Sequence, residues 1–358
     1  MGKRQINVAE LTRVQRGDAK RPNSGEFGYN LSRPYTRPTG PRTEIRTVNY
    51  LQDMTIRLAV ALNELPEDLR ERHISFLSSV QREDGGFAGR DGGSDPYYTG
   101  FALRSLAMLG QLHGQLAERA ADFLRFRLTQ RETLIDLISL IFSAALLDSA
   151  AGIDVFADAN EGWRDSVAAT LRNLRREDGG FAKTPEGAAS STYHTFLALI
   201  CLQLIERPIE DSDDIVRFVM SQQDAMGGFL EVRAAKRGGT NPTAAAIGAL
   251  RMLGQLDDET RNSTIEFLAE MQNEEGGLLA NSRIPLADVL STFTGMWTLA
   301  DLGGLDEIDR SAALQFVQSL DQPSGGFVAA MWDSVCDVEY TFYGLGAMAL
   351  LSQDSSGG

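Results

Sequence analysis

Hydrophobic residues follow two alternating patterns along most of the chain. In one pattern the apolar residues recur at three- and four-residue spacing, as in a helix that buries one face. In the other they occupy nearly every position among alanines and glycines, as in a helix buried on all sides. Segments of the first kind include Leu69–Val80, Asp165–Leu174, Ile215–Ser221, Thr264–Met271 and Ala312–Leu320. Segments of the second kind read YTGFALRSLAML, YHTFLALICLQL, TAAAIGALRML, STFTGMWTLADL and YTFYGLGAMALL.

A Gly-Gly pair stands between the two kinds of segment. The pairs are Gly85-Gly86, Gly179-Gly180, Gly227-Gly228, Gly276-Gly277 and Gly325-Gly326. Their separations are 94, 48, 49 and 49 residues, so the first spans two periods and one repeat near position 132 has lost its glycines. We expect the first glycine to end the preceding helix in a left-handed conformation and the second to allow close backbone approach. The Phe or Leu that follows would fill the gap between neighbouring helices.

Six such helical hairpins predict an all-α fold, an α/α toroid with the amphipathic helices outside and the apolar helices inside. The glycine-poor repeat is assigned to Leu116–Leu128 and Leu134–Leu147. A further helix at about Tyr50–Leu65 either caps the ring or indicates a larger ring. The predicted organisation is a basic, proline-rich extended arm over 1–46, the toroid over 47–353 and a flexible tail over 354–358.

The formal charge of -15 is unevenly distributed. Residues 1–46 hold ten Lys and Arg against four Asp and Glu, a net of +6, and the rest of the chain carries -21. An acidic body argues against broad nucleic-acid binding. The basic arm either folds back on that body or contacts RNA, an anionic membrane or an acidic partner. Two cysteines suit a reducing compartment, and the longest apolar run, Leu137–Leu147, is too short to span a bilayer. We therefore expect a cytoplasmic protein without a membrane span.

The QxxDGGF element followed by a small-residue helix resembles the prenyltransferase and squalene-cyclase repeat family over about 48–352. The single-ring length, with the stretches SDPYYTGFALRSL and DVEYTFYGLGAM, is similar to the β subunit of protein prenyltransferases. The resemblance implies an enzyme that holds a prenyl diphosphate, with the prenyl chain in a central cavity. It also implies a helical-repeat α-subunit-like partner, with a homodimer as the alternative.

The same resemblance implies a zinc ion that activates a thiol, held by Asp, Cys and His. Asp288 matches the Asp, but Leu290 stands at the Cys position and Tyr340 at the His position. The usual zinc site is therefore expected to be lost, and no other cofactor is implied except magnesium accompanying a diphosphate. The remaining alternative is a shifted zinc site of Asp288, Asp337 and Cys336, with Cys336 placed one helical turn before Tyr340 on the same face.

Without zinc the acceptor needs a general base. The catalytic candidates are Asp288, Asp337, Glu339 and Tyr340. Because free N–H groups at the inner-helix N-termini favour anions, a diphosphate would bind at that rim. The basic residues on the loops reaching it are Arg90, Lys183, Arg233, Lys236, Arg237 and Arg283, of which Lys236, Arg237 and Arg283 are the preferred diphosphate ligands.

Aromatic residues on the inner helices predict the walls of the prenyl cavity. Tyr97, Tyr193, Phe293, Trp297 and Tyr343 are assigned to that lining. His194 is the one histidine on an inner helix, where it either contacts the diphosphate, serves as an acid or base, or is a core residue.

Two other functions compete with the prenyltransferase-like hypothesis. A non-catalytic protein that binds a lipid or prenyl group, or serves as an interaction scaffold, would explain the missing zinc ligands. A terpene cyclase ranks lower: Asp211-Ser212-Asp213-Asp214 fits the letters DxDD of class II cyclases, but opens a predicted outer helix, where acidic residues cap the N-terminus.

Overall fold

The computed structural model describes residues 6–7 and 50–352 of the chain. The helices are α1 (Tyr50–Leu62), α2 (Glu67–Ser79), α3 (Pro96–Met108), α4 (Gly114–Arg127), α5 (Leu134–Ala151), α6 (Trp163–Arg172), α7 (Thr192–Leu204), α8 (Ser212–Met220), α9 (Thr240–Met252), α10 (Asp258–Ala269), α11 (Val289–Leu302), α12 (Arg310–Leu320) and α13 (Val338–Ser352). The strands are β1 (Ile6–Asn7), β2 (Arg131–Glu132), β3 (Phe181–Ala182) and β4 (Ser190–Ser191). The predicted tail, and all of the predicted arm except β1, lie outside the described residues.

Six hairpins form a closed ring, as predicted. The amphipathic helices α2, α4, α6, α8, α10 and α12 alternate along the chain with the apolar helices α3, α5, α7, α9, α11 and α13. Each apolar helix contacts the next one, and α13 contacts α3. The apolar helices are therefore the inner wall, and the fold is an all-α toroid.

Helix α1 closes one end of the ring and adds no seventh hairpin. It packs against α3 and α13. Its Tyr50 amide donates to Gln203 Oε1 (3.3 Å), and Trp297 Nε1 donates to the Tyr50 hydroxyl (3.0 Å). Arg57 pairs with Asp301 at 2.7 Å. Gln203 and Asp301 lie near the C-terminal ends of α7 and α11, so α1 covers the end of the ring where the inner helices finish.

The first glycine of each pair has the expected left-handed conformation, but it lies in a turn beyond the helix end, so the expectation that it stops the helix is wrong. The dihedral φ is +91° at Gly276 and +86° at Gly325, a region that side chains disfavour. A Cβ at Gly276 would overlap the carbonyl oxygen of Ala312 in the next outer helix. A Cβ at Gly325 would overlap the carbonyl oxygen of Arg72 in α2. The last repeat therefore joins the first by the same kind of backbone contact.

The second glycine of each pair receives a phenylalanine ring from the next outer helix. A Cβ at Gly277 would lie 2.5 Å from the Phe316 ring, which confirms the expected close approach. The same contact joins Gly86 to Phe123, Gly180 to Phe218, Gly228 to Phe267 and Gly326 to Phe76. The side chains that follow the pairs are also buried, as predicted: Phe87, Phe181, Phe229, Leu278 and Phe327.

The glycine-poor repeat occupies α4 and α5, which confirms its assignment. At its turn β2 pairs antiparallel with β1, from the beginning of the chain. The Glu132 carboxylate, 1% exposed, accepts from Arg127 Nε (2.5 Å) and Nη2 (2.7 Å), and Arg127 Nη1 donates to the Ser94 carbonyl (3.1 Å). Strand pairing and a buried ion pair stand here in place of the glycines.

Helix α5 is longer than the predicted apolar run. It extends over 18 residues because Thr133 caps its N-terminus and Gly152, with φ +67°, ends it. By length and composition it is the one helix among the residues described that is long and apolar enough to cross a membrane, which corrects the predicted length of this apolar run. In the ring it packs between α3 and α7.

Candidate functional site

The inner helices enclose a cavity of about 430 Å³. All six contribute to its wall, and α1 contributes the floor through Tyr50, Leu51 and Met54. The aromatic residues in the lining are Tyr50, Tyr97, Phe101, Phe142, Tyr193, Phe196, Phe293, Trp297, Phe342 and Tyr343. This volume and this apolar, aromatic lining are typical of a pocket for a small hydrophobic ligand.

The five aromatic residues predicted to line the cavity all do so. Tyr343 connects two walls, with ring centroids 5.2 Å from Phe101 and 5.7 Å from Phe293. The Trp297 indole is at the floor, where it bonds the Tyr50 hydroxyl. Aromatic faces of this kind attract cations as well as hydrocarbon.

Two of the predicted general bases, Asp288 and Asp337, are helix caps. The Asp288 carboxylate accepts from the amide (2.7 Å) and hydroxyl (2.8 Å) of Ser291. The Asp337 carboxylate accepts from the Tyr340 amide (2.9 Å) and from Arg90 Nε (3.1 Å). Burial raises the pKa of both carboxyls. Neither residue belongs to the cavity lining, so their catalytic role stays a prediction.

Glu339 is the predicted base that does line the cavity. Its Oε1 accepts from the Tyr97 hydroxyl at 2.7 Å, and burial raises its pKa. Tyr340 lies outside the lining, with the Arg90 guanidinium 5.0 Å from its ring centroid. Burial raises the pKa of the Tyr340 phenol to about 12.

The residues at the expected zinc positions do not fit a zinc ion. Asp288 is occupied by its cap contacts, Leu290 contributes an apolar side chain to the cavity, and the Tyr340 phenol stays protonated at neutral pH. The shifted site placed Cys336 on the helix face above Tyr340, but α13 begins at Val338, so Cys336 precedes the helix. Within the described part of the chain, no three His, Cys, Asp or Glu side chains are grouped as a metal site.

His194 lies beside the cavity in a hydrogen-bond chain that ends at its wall. Ser191 Oγ accepts from the His194 amide (3.1 Å), lies 2.9 Å from His194 Nδ1, and donates to Glu231 Oε1. Burial lowers the pKa of His194 to about 4 and raises that of Glu231. His194 is therefore a neutral, buried residue, and Glu231 is the member of this chain that lines the cavity.

The predicted diphosphate ligands are exposed on loops outside the cavity lining. Lys236 and Arg237 precede α9, and Arg283 precedes α11. Arg237 Nη1 donates to Ser282 Oγ at 2.9 Å, which links the two loops. Of the charged residues predicted for the site, only Glu339 belongs to the lining.

Sequence reasoning missed two charged residues of the lining, Arg104 and Glu231. The Arg104 guanidinium lies 4.1 Å from the ring centroid of Phe101 and 4.5 Å from that of Phe342. Arg104 is the one charged residue of α3, a helix otherwise mostly apolar and buried in the ring. A single charge on such a helix could have indicated a functional residue. Glu231 follows a Gly-Gly-Phe turn and carried no comparable signal.

The DxDD-like segment opens the outer helix α8, as predicted. Asp211 is its N-terminal cap residue, with φ +50°, but its side chain makes no capping hydrogen bond. Asp214 pairs instead with Arg217 in the same helix. The expected position is confirmed and the expected hydrogen bond is wrong.

Residues 54–246 and 240–357 match the sequence model of the prenyltransferase alpha-alpha toroid domain. The chain belongs to this family. No curated protein matches it in sequence.

Solved structures share the fold at low sequence identity. Protein geranylgeranyltransferase-I of Candida albicans, complexed with GGPP, has a TM-score of 0.62 and 16% identity over 80% of this chain and 92% of that one. The type II terpene cyclase MstE of Scytonema, bound to geranylgeranyl dihydroxybenzoate, has a TM-score of 0.57 and 12% identity over 84% and 99%. The GH76A alpha-1,6-mannanase of Salegentibacter sp. HEL1_6 has the same TM-score and identity over 83% and 99%. Because a mannanase shares this fold, function must be argued from the cavity.

Proposed function

We propose that the protein binds the hydrocarbon chain of an isoprenoid in the central cavity and uses a prenyl diphosphate as substrate. The observation that carries this proposal is the cavity itself, which is apolar, lined by ten aromatic residues and closed at one end by α1. Family membership supports it. A sugar-binding site of the mannanase type would need many polar groups, and most of this lining is apolar.

The diphosphate would lie at the inner-helix N-terminal rim, near Lys236, Arg237 and Arg283, with any magnesium it brings. In the transfer step the C1–O bond of the prenyl diphosphate breaks and the diphosphate leaves with the electron pair. The acceptor's nucleophilic atom bonds to C1 and gives its proton to Glu339. A buried carboxylate with a raised pKa is a suitable proton acceptor.

Calorimetric titration with farnesyl and geranylgeranyl diphosphate tests the binding. Ala244 lines the cavity, and Ala234 is exposed on a loop. The Ala244→Phe variant should fill the cavity and weaken binding about tenfold or more, since the ring would occupy the space of the chain. Ala234→Phe should bind like the wild type. Equal binding by both variants would place the ligand elsewhere.

A non-catalytic binding protein is the second candidate, and Leu290 and Tyr340 at the zinc positions favour it. Prolonged incubation with radiolabelled prenyl diphosphate separates the candidates. The enzyme is supported if the wild type releases diphosphate and Glu339→Gln binds the substrate but releases none. Tight binding without any product supports the binding protein.

We also propose a partner subunit, either a helical-repeat protein or a second copy of this chain. The loops before α11 and α13 expose Ile284, Leu286, Met331, Trp332 and Val335, and Trp332 is 72% exposed. Exposed apolar side chains of this kind are typical of protein interfaces. Native mass spectrometry of the protein from its own cells would report the partner. A cytoplasmic location is proposed on the two free cysteines and is tested by cell fractionation.

A further inference from the structure

Arg104 places a cation in the wall of a cavity that is mostly apolar and also contains Glu231 and Glu339. It lies seven residues after Tyr97 on α3, which puts it about 10 Å deeper along the helix axis. Its Nε donates to the Gly100 carbonyl at 3.0 Å. Over residues 50–352 its Nη1 and Nη2 groups have no hydrogen-bond acceptor, and no carboxylate lies within 4.0 Å.

Aromatic rings hold the guanidinium in place without satisfying its donors. The ring centroids of Phe101, Phe342 and Phe142 lie 4.1, 4.5 and 5.8 Å from its central carbon. Cation–π contacts use the faces of the rings and leave the N–H groups at the edge of the guanidinium unpaired. A buried charge is costly unless it is paired, so a ligand that supplies acceptors at this depth would be favoured.

Two tyrosine hydroxyls add donors from other helices. Tyr193 on α7 and Tyr343 on α13 both line the cavity, and the Tyr343 ring centroid lies 5.2 Å from that of Phe101, the ring that the Arg104 guanidinium contacts. Among the described side chains neither hydroxyl has a hydrogen-bond partner, whereas the hydroxyl of nearby Tyr97 is used by Glu339. Arg104, Tyr193 and Tyr343 therefore present unpaired donors to one cavity from three inner helices.

We propose that these three residues form an oxyanion site for a carboxylate, and that the ligand is an isoprenoid that carries one. This inference rests on the proposed isoprenoid-binding function and names a further ligand class for the deep part of the cavity, whereas the diphosphate of the proposed substrate would lie at the rim. A carboxylate has one negative charge and accepts two or more hydrogen bonds, which matches one guanidinium and two phenols. A diphosphate fits less well, because Glu231 and Glu339 also line the cavity and would repel its additional charge.

Titration calorimetry at pH 7.5 with farnesoic acid, farnesol and farnesyl diphosphate tests the site. The wild type should bind farnesoic acid at least about tenfold more tightly than farnesol, as expected for a charge-assisted hydrogen bond. Arg104→Met should remove that preference and keep farnesol binding. Arg125→Met, which deletes an exposed arginine of α4, is the matched control and should keep the preference.

A second variant covers the case in which Arg104→Met does not fold. The Tyr193→Phe and Tyr343→Phe double variant keeps the rings and removes the hydroxyls, so it should weaken farnesoic acid several-fold and leave farnesol unchanged. Equal affinity of the wild type for acid and alcohol would overturn the carboxylate site and leave the isoprenoid proposal standing. Tighter binding of the diphosphate that depends on Arg104 would overturn the carboxylate assignment. Binding of none of the three compounds would overturn the isoprenoid proposal itself.

Discussion

The chemical role of each acidic residue near the rim depends on what its oxygens already contact. Asp288 uses both oxygens to accept from Ser291 and so stabilises the start of α11. Glu339 uses one oxygen for Tyr97 and faces the cavity with a raised pKa. Two carboxyls that look equivalent in sequence therefore have different surroundings, and only Glu339 is placed to meet a ligand in the cavity.

Substitution of Asp288 tests this distinction. Asp288→Asn keeps a capping oxygen and should change the free energy of unfolding by only a few tenths of a kcal/mol. Asp288→Ala removes the cap and should cost about 1 kcal/mol in urea denaturation. If Asp288 were instead the general base, Asp288→Asn would lose diphosphate release while keeping its stability.

His73 gives the fold a pH-dependent stability. It is fully buried in α2, its Nδ1 accepts from the Gly326 amide at 3.0 Å, and burial lowers its pKa to about 4 from 6.5. Between these two values the unfolded chain binds the proton and the folded one does not, so the free energy of unfolding falls as the pH falls. The loss of stability is about 1.4 kcal/mol per pH unit for one histidine. Above about pH 6.5 the full stability is present.

The His73→Asn variant keeps an acceptor for Gly326 and removes the titration. Urea denaturation from pH 4.5 to 7.5 should show a shallower loss of stability in this variant than in the wild type. The remaining slope belongs in part to His194, whose pKa is also lowered to about 4. Parallel curves for the two proteins would show that His73 does not titrate in this way.

The sequence predicted single residues well where their role depends on their own helix. Tyr97, Phe293 and Trp297 were predicted to line the cavity because each lies on a helix that is apolar on nearly all sides, and each does so. Arg104 and Glu231 were missed because their surroundings are made by helices distant in the chain, such as α13 beside Arg104. Cys336 was misplaced because a helix start depends on which residue caps it, and Asp337 does so here.

At the scale of the element, the turn with two glycines is the joint between hairpins. The alternation of amphipathic and apolar helices was predictable because each pattern reports how many sides of a helix are buried. The residues that contact the glycines were not predictable, although phenylalanines recur in the outer helices with the same period as the turns. Periodicity identifies equivalent positions, whereas only the packing shows that Phe316 faces Gly277.

Two substitutions distinguish the glycines of one joint. Gly277→Ala would press a methyl group on the Phe316 ring and should cost about 1–3 kcal/mol through overpacking. Phe316→Leu in the same chain should recover part of that loss, because a smaller side chain relieves the contact. Gly276→Ala should cost more and gain nothing from Phe316→Leu, since its obstacle is the Ala312 carbonyl and a φ of +91°. Additive effects for Gly277→Ala and Phe316→Leu in the double-mutant cycle would contradict this packing.

At the scale of the whole molecule, the contact between the last and first repeats completes the ring. Arg72 in α2 pairs with Asp321 directly after α12, and both side chains are partly buried. The Gly325 turn and the His73–Gly326 hydrogen bond lie at the same seam. No peptide bond spans this seam, so noncovalent contacts of this kind hold it closed.

Asp321→Ala should therefore lower the free energy of unfolding by about 1–3 kcal/mol, because it leaves a partly buried guanidinium unpaired. Asp122→Ala removes the exposed partner of Arg125 within α4 and is the control, with an expected effect below about 0.5 kcal/mol. Both should unfold in one transition in urea, followed by circular dichroism. Equal losses in the two variants would show that the Arg72–Asp321 pair adds no more stability than an exposed surface pair.

Because the seam makes the first and last hairpins neighbours, the toroid has no terminal repeat. An open array of repeats frays from its ends, and each end repeat needs a polar cap. Here every inner helix is flanked by two others, so separating one hairpin from the ring requires breaking its contacts with both neighbours. Within residues 50–352, α1 covers one end of the ring, and the loops that carry Trp332 and Arg237 lie at the other end. A ligand that enters there meets these side chains first, so selection of the ligand begins at that entrance.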